Sequence, residues 1–144
     1  MVRLLKLSVN GDSELSSEDV LSIHLGYFIT YGKVVYSTNV KVAEQPQYVL
    51  LTLGNVEDVC YLCHVLDYSY NTESIEEDFI EYSPDRYKND KKSTWLMFDT
   101  MQRIPVDFLD EILSEKTVQN FIKERAVNKT LWIEIEQNVS CSLL

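Results

Sequence analysis

Cys60-Tyr61-Leu62-Cys63-His64 has the spacing by which a chain takes up a c-type haem, and no other stretch carries so strong a chemical signature. Its surroundings argue against that use. Residues 58–70, "DVCYLCHVLDYSY", are rich in β-branched and aromatic side chains and read as a strand. Residues three apart on a strand point to opposite faces, so the two thiols cannot both reach the edge of one porphyrin. Haem attachment also belongs to exported chains. The opening "MVRLLKLSVNGDSE" has a short apolar run broken by Lys6 and no small-residue cleavage site, so no signal peptide is expected. A zinc or redox role needs a second ligand pair, for which Cys141 and His24 are the spare residues. The motif therefore reads as two core thiols. Val59, Tyr61, Cys63 and Val65 face one way and Cys60, Leu62 and His64 the other, as in a strand buried on both sides.

Other catalytic patterns are absent. The chain has two histidines, His24 and His64, neither in a nucleophile motif, and four glycines, none in a phosphate-cradling arrangement. The run Glu76-Glu77-Asp78 lacks the alternating oxygen ligands and glycine turn of a hard-cation site and reads as a solvated face. No enzyme activity, metal or cofactor is expected. What remains is Tyr36-Ser37-Thr38-Asn39, an aromatic ring followed by hydroxyl and amide groups at a strand end. Such a set can stack on a flat base and read its edge. It can equally be a core ring followed by a turn asparagine.

These residues must be positioned by a sheet. "RLLKLSVNGD" (3–12) reads as a strand closed by Asn10-Gly11. "SSEDVLSIHLGYFITYG" offers Ser16 or Ser17 as a helix N-cap, two carboxylates in the first turn, Leu21, Leu25 and Phe28 at helical spacing, and Gly32 as a stop. Residues 33–42, 48–54 and 58–70 read as three strands, the last two forming a hairpin across Gly54-Asn55. Residues 71–85 hold six acidic side chains and no basic one, whereas 86–92 hold four basic and one acidic. This is a long excursion with room for a helical turn. Residues 93–105 return to strand, 106–126 read as one or two short helices, and 130–137 alternate as a closing strand. Five or six strands with few helices predict an α+β fold, a small, strongly curved β-sheet or barrel flanked by short helices.

Length and composition bound the rest. At 144 residues and 45% hydrophobic, the chain is expected to form one domain spanning 1–144. Thirteen basic against 23 acidic residues leave a formal charge of -10, which repels a polyphosphate backbone unless the cations gather on one face. Three cysteines, an odd number, fit a reducing compartment. No run is long and apolar enough to span a membrane, and the cytoplasm is the expected location.

Across about residues 27–113, "YGKVVYSTN", "YVLLTLGNVEDVCYLCHVLDYSY" and "STWLMFDTMQRIPVDFL" resemble, in the order of their elements, the PUA-like superfamily, in particular its EVE and YTH domains. That resemblance implies a compact barrel holding one extruded, often methylated nucleobase of DNA or RNA, or a nucleotide-like ligand, in an aromatic cage. It implies Tyr36 as the first cage aromatic, where the family commonly has Trp, with Ser37, Thr38 and Asn39 at the base edge. Trp95 resembles the tryptophan of the later strand. A second cage ring is expected from the excursion, where Tyr68, Tyr70, Phe79, Tyr82 and Tyr87 compete and Tyr82 is the named choice. Arg86, Lys88, Lys91 and Lys92 would form a basic lip for the backbone. The expected function is a non-catalytic binding module. The strong negative charge favours a rival: an acidic inhibitor or interaction protein of mobile-element, anti-defence type that occupies a protein partner and binds no nucleic acid.

Overall fold

The computed structural model describes residues 2–53, 59–70, 75–105 and 131–135. Six strands form one sheet: β1 (Val2–Val9), β2 (Val34–Thr38), β3 (Tyr48–Leu53), β4 (Cys60–Tyr70), β5 (Thr94–Arg103) and β6 (Leu131–Ile135), in the order β2-β5-β4-β3-β1-β6. β1 and β3 are parallel, and every other neighbouring pair is antiparallel. The parallel pair requires a crossover, which contains α1 (Ser17–Tyr31) and β2. The sheet is strongly curled into a half-barrel and carries few helices, the α+β architecture expected from the sequence. The helices read over 106–126, the hairpin turn at Gly54-Asn55 and Cys141 lie outside the described residues.

Local chemistry accounts for α1. Ser16 is the N-cap: its hydroxyl accepts from the Asp19 amide at 3.1 Å while the Asp19 carboxylate accepts from the Ser16 amide at 3.4 Å. Gly32 ends the helix at φ 77°, a left-handed conformation that costs glycine little, and its amide donates to the Phe28 carbonyl at 2.7 Å. The buried face of α1 is Val20, Leu21 and His24. Leu25 and Phe28, expected on that face, are partly buried against the same core.

Alternation along the strands sorts the two faces of the sheet. Leu5, Leu7 and Val9, Val34 and Tyr36, Val49, Leu51 and Leu53, Cys63 and Val65, and Leu96 and Phe98 meet Val20 and Leu21 of α1 in one core. This is the face expected for Cys63 and Val65. On the other face Val35, Trp95 and Met97 bury Phe79 from α2 (Glu77–Ile80), a single helical turn that pins the acidic excursion. Glu76, Glu77 and Asp78 are exposed, as expected of a solvated face, though Glu76 also accepts from the buried Ser69 hydroxyl at 2.8 Å.

Curvature has an identifiable source. Between β4 and β5 the register slips twice: His64 pairs with Thr100, Val65 with Phe98 and Asp67 with Met97. Asp99 is thus the extra residue on β5, and Leu66 the extra residue on β4. Paired bulges bend strands and increase twist. They roll the β2–β5 edge toward α1 and leave Leu66 exposed.

Candidate functional site

Rolling brings β1 and β2, which have three strands between them in the sheet, to one cavity of about 220 Å3. Its floor begins on α1. Val20 and His24, one turn apart, both line it, and the His24 Nδ1–H donates to the Val20 carbonyl at 2.7 Å. Tyr36 lies beside His24, ring centroids 5.0 Å apart at 57°, and is itself stacked on Phe98 at 6.1 Å and 20°. Tyr87, from the 3-10 turn at Asp85–Tyr87, also stacks on His24 at 5.2 Å and 25°. Tyr87, His24, Tyr36 and Phe98 therefore form one column of rings, each within the distance of favourable aromatic contact.

Burial sets the protonation of this column. His24 is 3% exposed, and loss of hydration pulls its pKa down to about 4, against a smaller upward pull from the Val20 carbonyl. The ring is neutral at pH 7, with Nδ1 carrying the proton and Nε2 the lone pair. Burial, with smaller contributions from Tyr87 and Cys63, pushes the Tyr36 phenol far up, so it too is neutral. Neither the Tyr36 hydroxyl nor His24 Nε2 has a hydrogen-bond partner among the described residues, and neither is sealed from the cavity. The Tyr87 hydroxyl is sealed and also without a partner. Arg86 approaches it without reaching hydrogen-bond geometry.

The surrounding loops are held by hydrogen bonds both local and across the fold. Ser37, Thr38 and Asn39 continue from β2 along one side. Thr38 Oγ1 accepts from the Val40 amide at 3.1 Å. Thr94 Oγ1 donates to the Val40 carbonyl at 2.8 Å and accepts from the Val42 amide at 3.3 Å, and the Tyr68 hydroxyl donates to the Val42 carbonyl. Opposite stands Asn10-Gly11-Asp12. Gly11 is needed there because a Cβ would lie 2.5 Å from the Leu15 carbonyl oxygen. Asp12 Oδ1 accepts from the amides of Glu14 and Leu15 at 2.7 and 2.8 Å. Those amides, and then Arg86, hold the Asp12 carboxyl below its ordinary pKa. Arg86 Nη2 reaches Asp12 at 3.2 Å and Glu14 at 2.8 Å, tying the first loop to the turn that carries Tyr87. Asp90 and Lys92 complete the rim.

Of the residues proposed from sequence, Tyr36, Ser37, Thr38, Asn39 and Lys92 come together at this cavity. Trp95 and Tyr82 do not. Trp95 is fully buried on the opposite face of the sheet with Val35, Phe79 and Met97, and Tyr82 packs beside that group with Lys33 Nζ 5.3 Å from its ring centre. The excursion ring at the cavity is Tyr87. Tyr36 itself has Phe98 against one face and His24 close by, so it offers the cavity its hydroxyl-bearing rim. Arg86 is held by two carboxylates, and Lys88 by Asp85 at 2.7 Å. Lys91 is exposed and away from the lining. Of the four residues proposed as a basic lip, Lys92 alone stands at the cavity.

Sequence reasoning passed over His24, Asp12 and Asp90 as site residues. The available signal for His24 was a titratable ring four residues after Val20, on the stripe of a helix that must be buried. The Cys60–His64 segment lies on β4 as expected, with Cys60 and Cys63 both buried and reduced. Burial, reinforced by Cys60, raises the Cys63 thiol well above its ordinary pKa, so it is a poor nucleophile. His64 pairs through Nδ1 with the bulged Asp99 at 2.6 Å. Among the described residues, no group of three His, Cys, Asp or Glu side chains is placed to hold a metal, and no helix is long and apolar enough to cross a membrane. No family model, curated protein or solved structure matches the chain.

Proposed function

We propose that the protein is a non-catalytic binding module whose cavity receives one nucleobase-sized heterocycle, from a modified DNA or RNA base or a free nucleotide-like ligand. The observation that carries this is the column Tyr87-His24-Tyr36 ending on a cavity flanked by Ser37, Thr38 and Asn39. Around Val20, Tyr36 and Tyr87 the lining is mostly polar, and its hydroxyl, amide and charged groups can read the edge of a heterocycle. At about 220 Å3 the space falls below the roughly 300–1,000 Å3 typical of drug-sized ligands, which favours a single ring system. The strongly curled α+β sheet is what the fold contributes to the PUA-like reading.

Charge limits the form of the ligand. With a formal charge of -10 and two carboxylates beside one lysine at the cavity, the protein would repel a polyphosphate strand. The same charge, together with the exposed Glu77, Asp78 and Glu81, supports the second reading, an acidic interaction protein that occupies a basic partner.

Titration with 1-methylcytosine, 9-methyladenine and short oligonucleotides, with and without base methylation and at two salt concentrations, separates the two. Saturable base-selective binding is expected. Asn39→Trp should abolish it by filling the mouth from an exposed position, without disturbing the fold. Absence of binding by every base and oligonucleotide would refute the module and leave the acidic interaction protein.

A further inference from the structure

Resting on the reading that the cavity holds a base-sized ring, we propose that it selects its ligand through a hydrogen-bond donor. The heterocycle would present an exocyclic amino group to His24 Nε2, which makes amino-purines and amino-pyrimidines the favoured class.

The polar atoms around the cavity support this direction of donation. His24 Nδ1 is committed to the Val20 carbonyl, so its proton is fixed there and Nε2 can only accept. That nitrogen belongs to a residue only 3% exposed, and it has no partner among the described residues. The atom is not sealed, so this acceptor on a nearly buried ring is open to a donor that enters the cavity. Asp90, at the rim, is acceptor-only as a carboxylate and makes no side-chain hydrogen bond or ion pair among the described residues. The Asp12 carboxylate already accepts from two amides and from Arg86, so it asks less of a ligand. The Tyr36 hydroxyl can serve in either direction. Lys92 is the donor-only side chain among the described residues of the lining. His24 and Asp90 therefore ask for N–H groups, while Asn10, Ser37, Thr38 and Asn39 can donate or accept, and an amino group carries two N–H bonds, enough to satisfy His24 and a second acceptor.

The charged and titratable groups facing His24 do not reverse this at neutral pH. Tyr36 and Tyr87 are neutral phenols, Asp12 and Asp90 are negative, and Lys92 lies at the rim. Burial keeps the imidazole uncharged well below pH 7, so the acceptor is present throughout the physiological range.

Two ligand pairs test the proposal: 9-methyladenine against 9-methylpurine, and 1-methylcytosine against 1-methyl-2-pyrimidinone. In each pair the second compound lacks the amino group, and methylation at the sugar-bearing nitrogen removes the ring N–H that would otherwise confuse the comparison. Calorimetric titration of the intact protein at pH 7.5 should show the amino compound binding at least about tenfold more tightly, the usual consequence of leaving a buried acceptor unsatisfied. His24→Phe keeps a ring between Tyr36 and Tyr87 and should bring the ratio close to one by weakening the amino compounds alone. Equal binding within both pairs by the unaltered protein would overturn donor selection while leaving the binding module intact. Binding by none of the four up to millimolar concentration would overturn both. The ligand pairs decide the matter even where the variant fails to fold.

Discussion

Acidification from pH 7 to pH 5 should destabilise the native protein by about 2 kcal/mol through His24 alone. The unfolded chain binds a proton at this imidazole with a pKa of 6.5, whereas the folded chain does so only near pH 4. The folded pKa is depressed, so between those values the unfolded state holds the extra proton, and stability falls as the pH falls. The loss begins near pH 6.5 and levels off below about pH 4, where both states are protonated. At about 1.4 kcal/mol per pH unit the full effect is about 3 kcal/mol, of which about 2 is reached by pH 5. Asp12 adds a loss of the same sign, but its carboxyl is held below 3.8 in the folded state, so that loss belongs to more acidic solutions.

Urea unfolding of the native protein and of His24→Phe, each at pH 7 and pH 5, isolates the effect. The variant retains a ring between Tyr36 and Tyr87 but has no group to titrate. With a urea slope of about 1–3 kcal/mol per molar, the native midpoint should fall by about 1 M more than that of the variant. His64 and the carboxylates are common to both proteins and cancel in the difference. An equal loss of stability in the two proteins would refute the assignment of His24 as a buried, neutral imidazole.

Two further outcomes follow from the same contacts. Gly11→Ala would place a Cβ 2.5 Å from the Leu15 oxygen and 2.9 Å from the Ser16 carbon and Ser17 nitrogen, all backbone atoms, so the loop that carries Asp12 must open. Stability should drop by about 1–3 kcal/mol, seen as a lower melting temperature, and base affinity should drop with it. Phe79→Ala removes the anchor of the acidic excursion from the opposite face and should cost about 3–5 kcal/mol in urea unfolding. Base affinity of the fraction that remains folded should be unchanged, because Phe79 does not line the cavity.

Local elements were legible because their causes are local. The apolar run ended by Asn10-Gly11 declares a strand, and the Ser16–Asp19 capping pair and Gly32 bracket a helix through groups local to each end. The pleat also separates Cys60 from Cys63 wherever the strand is placed in the sheet. Part of the site was legible for the same reason: Tyr36 to Asn39 are contiguous, and they reach the cavity as a unit.

The identity of the second ring was not legible. Tyr82 and Tyr87 are five residues apart in one excursion, and nothing within that segment says that Val35 will take the Tyr82 carbonyl while Arg86 ties the next turn to Asp12 and Glu14. Trp95 reaches the wrong face because its register opposite Ser37 sets Leu96, and not Trp95, beside Tyr36. From the amino acids alone came the strands, the capped helix, the acidic face and a contiguous candidate edge for a ligand. Only the tertiary structure decided that two bulges roll the sheet, that β1 lies parallel to β3, and that His24 closes the floor between two tyrosines. Periodicity and caps are energies of neighbours along the chain. Register, bulges and the burial of an imidazole depend on residues tens of positions away, which meet only once the sheet has closed.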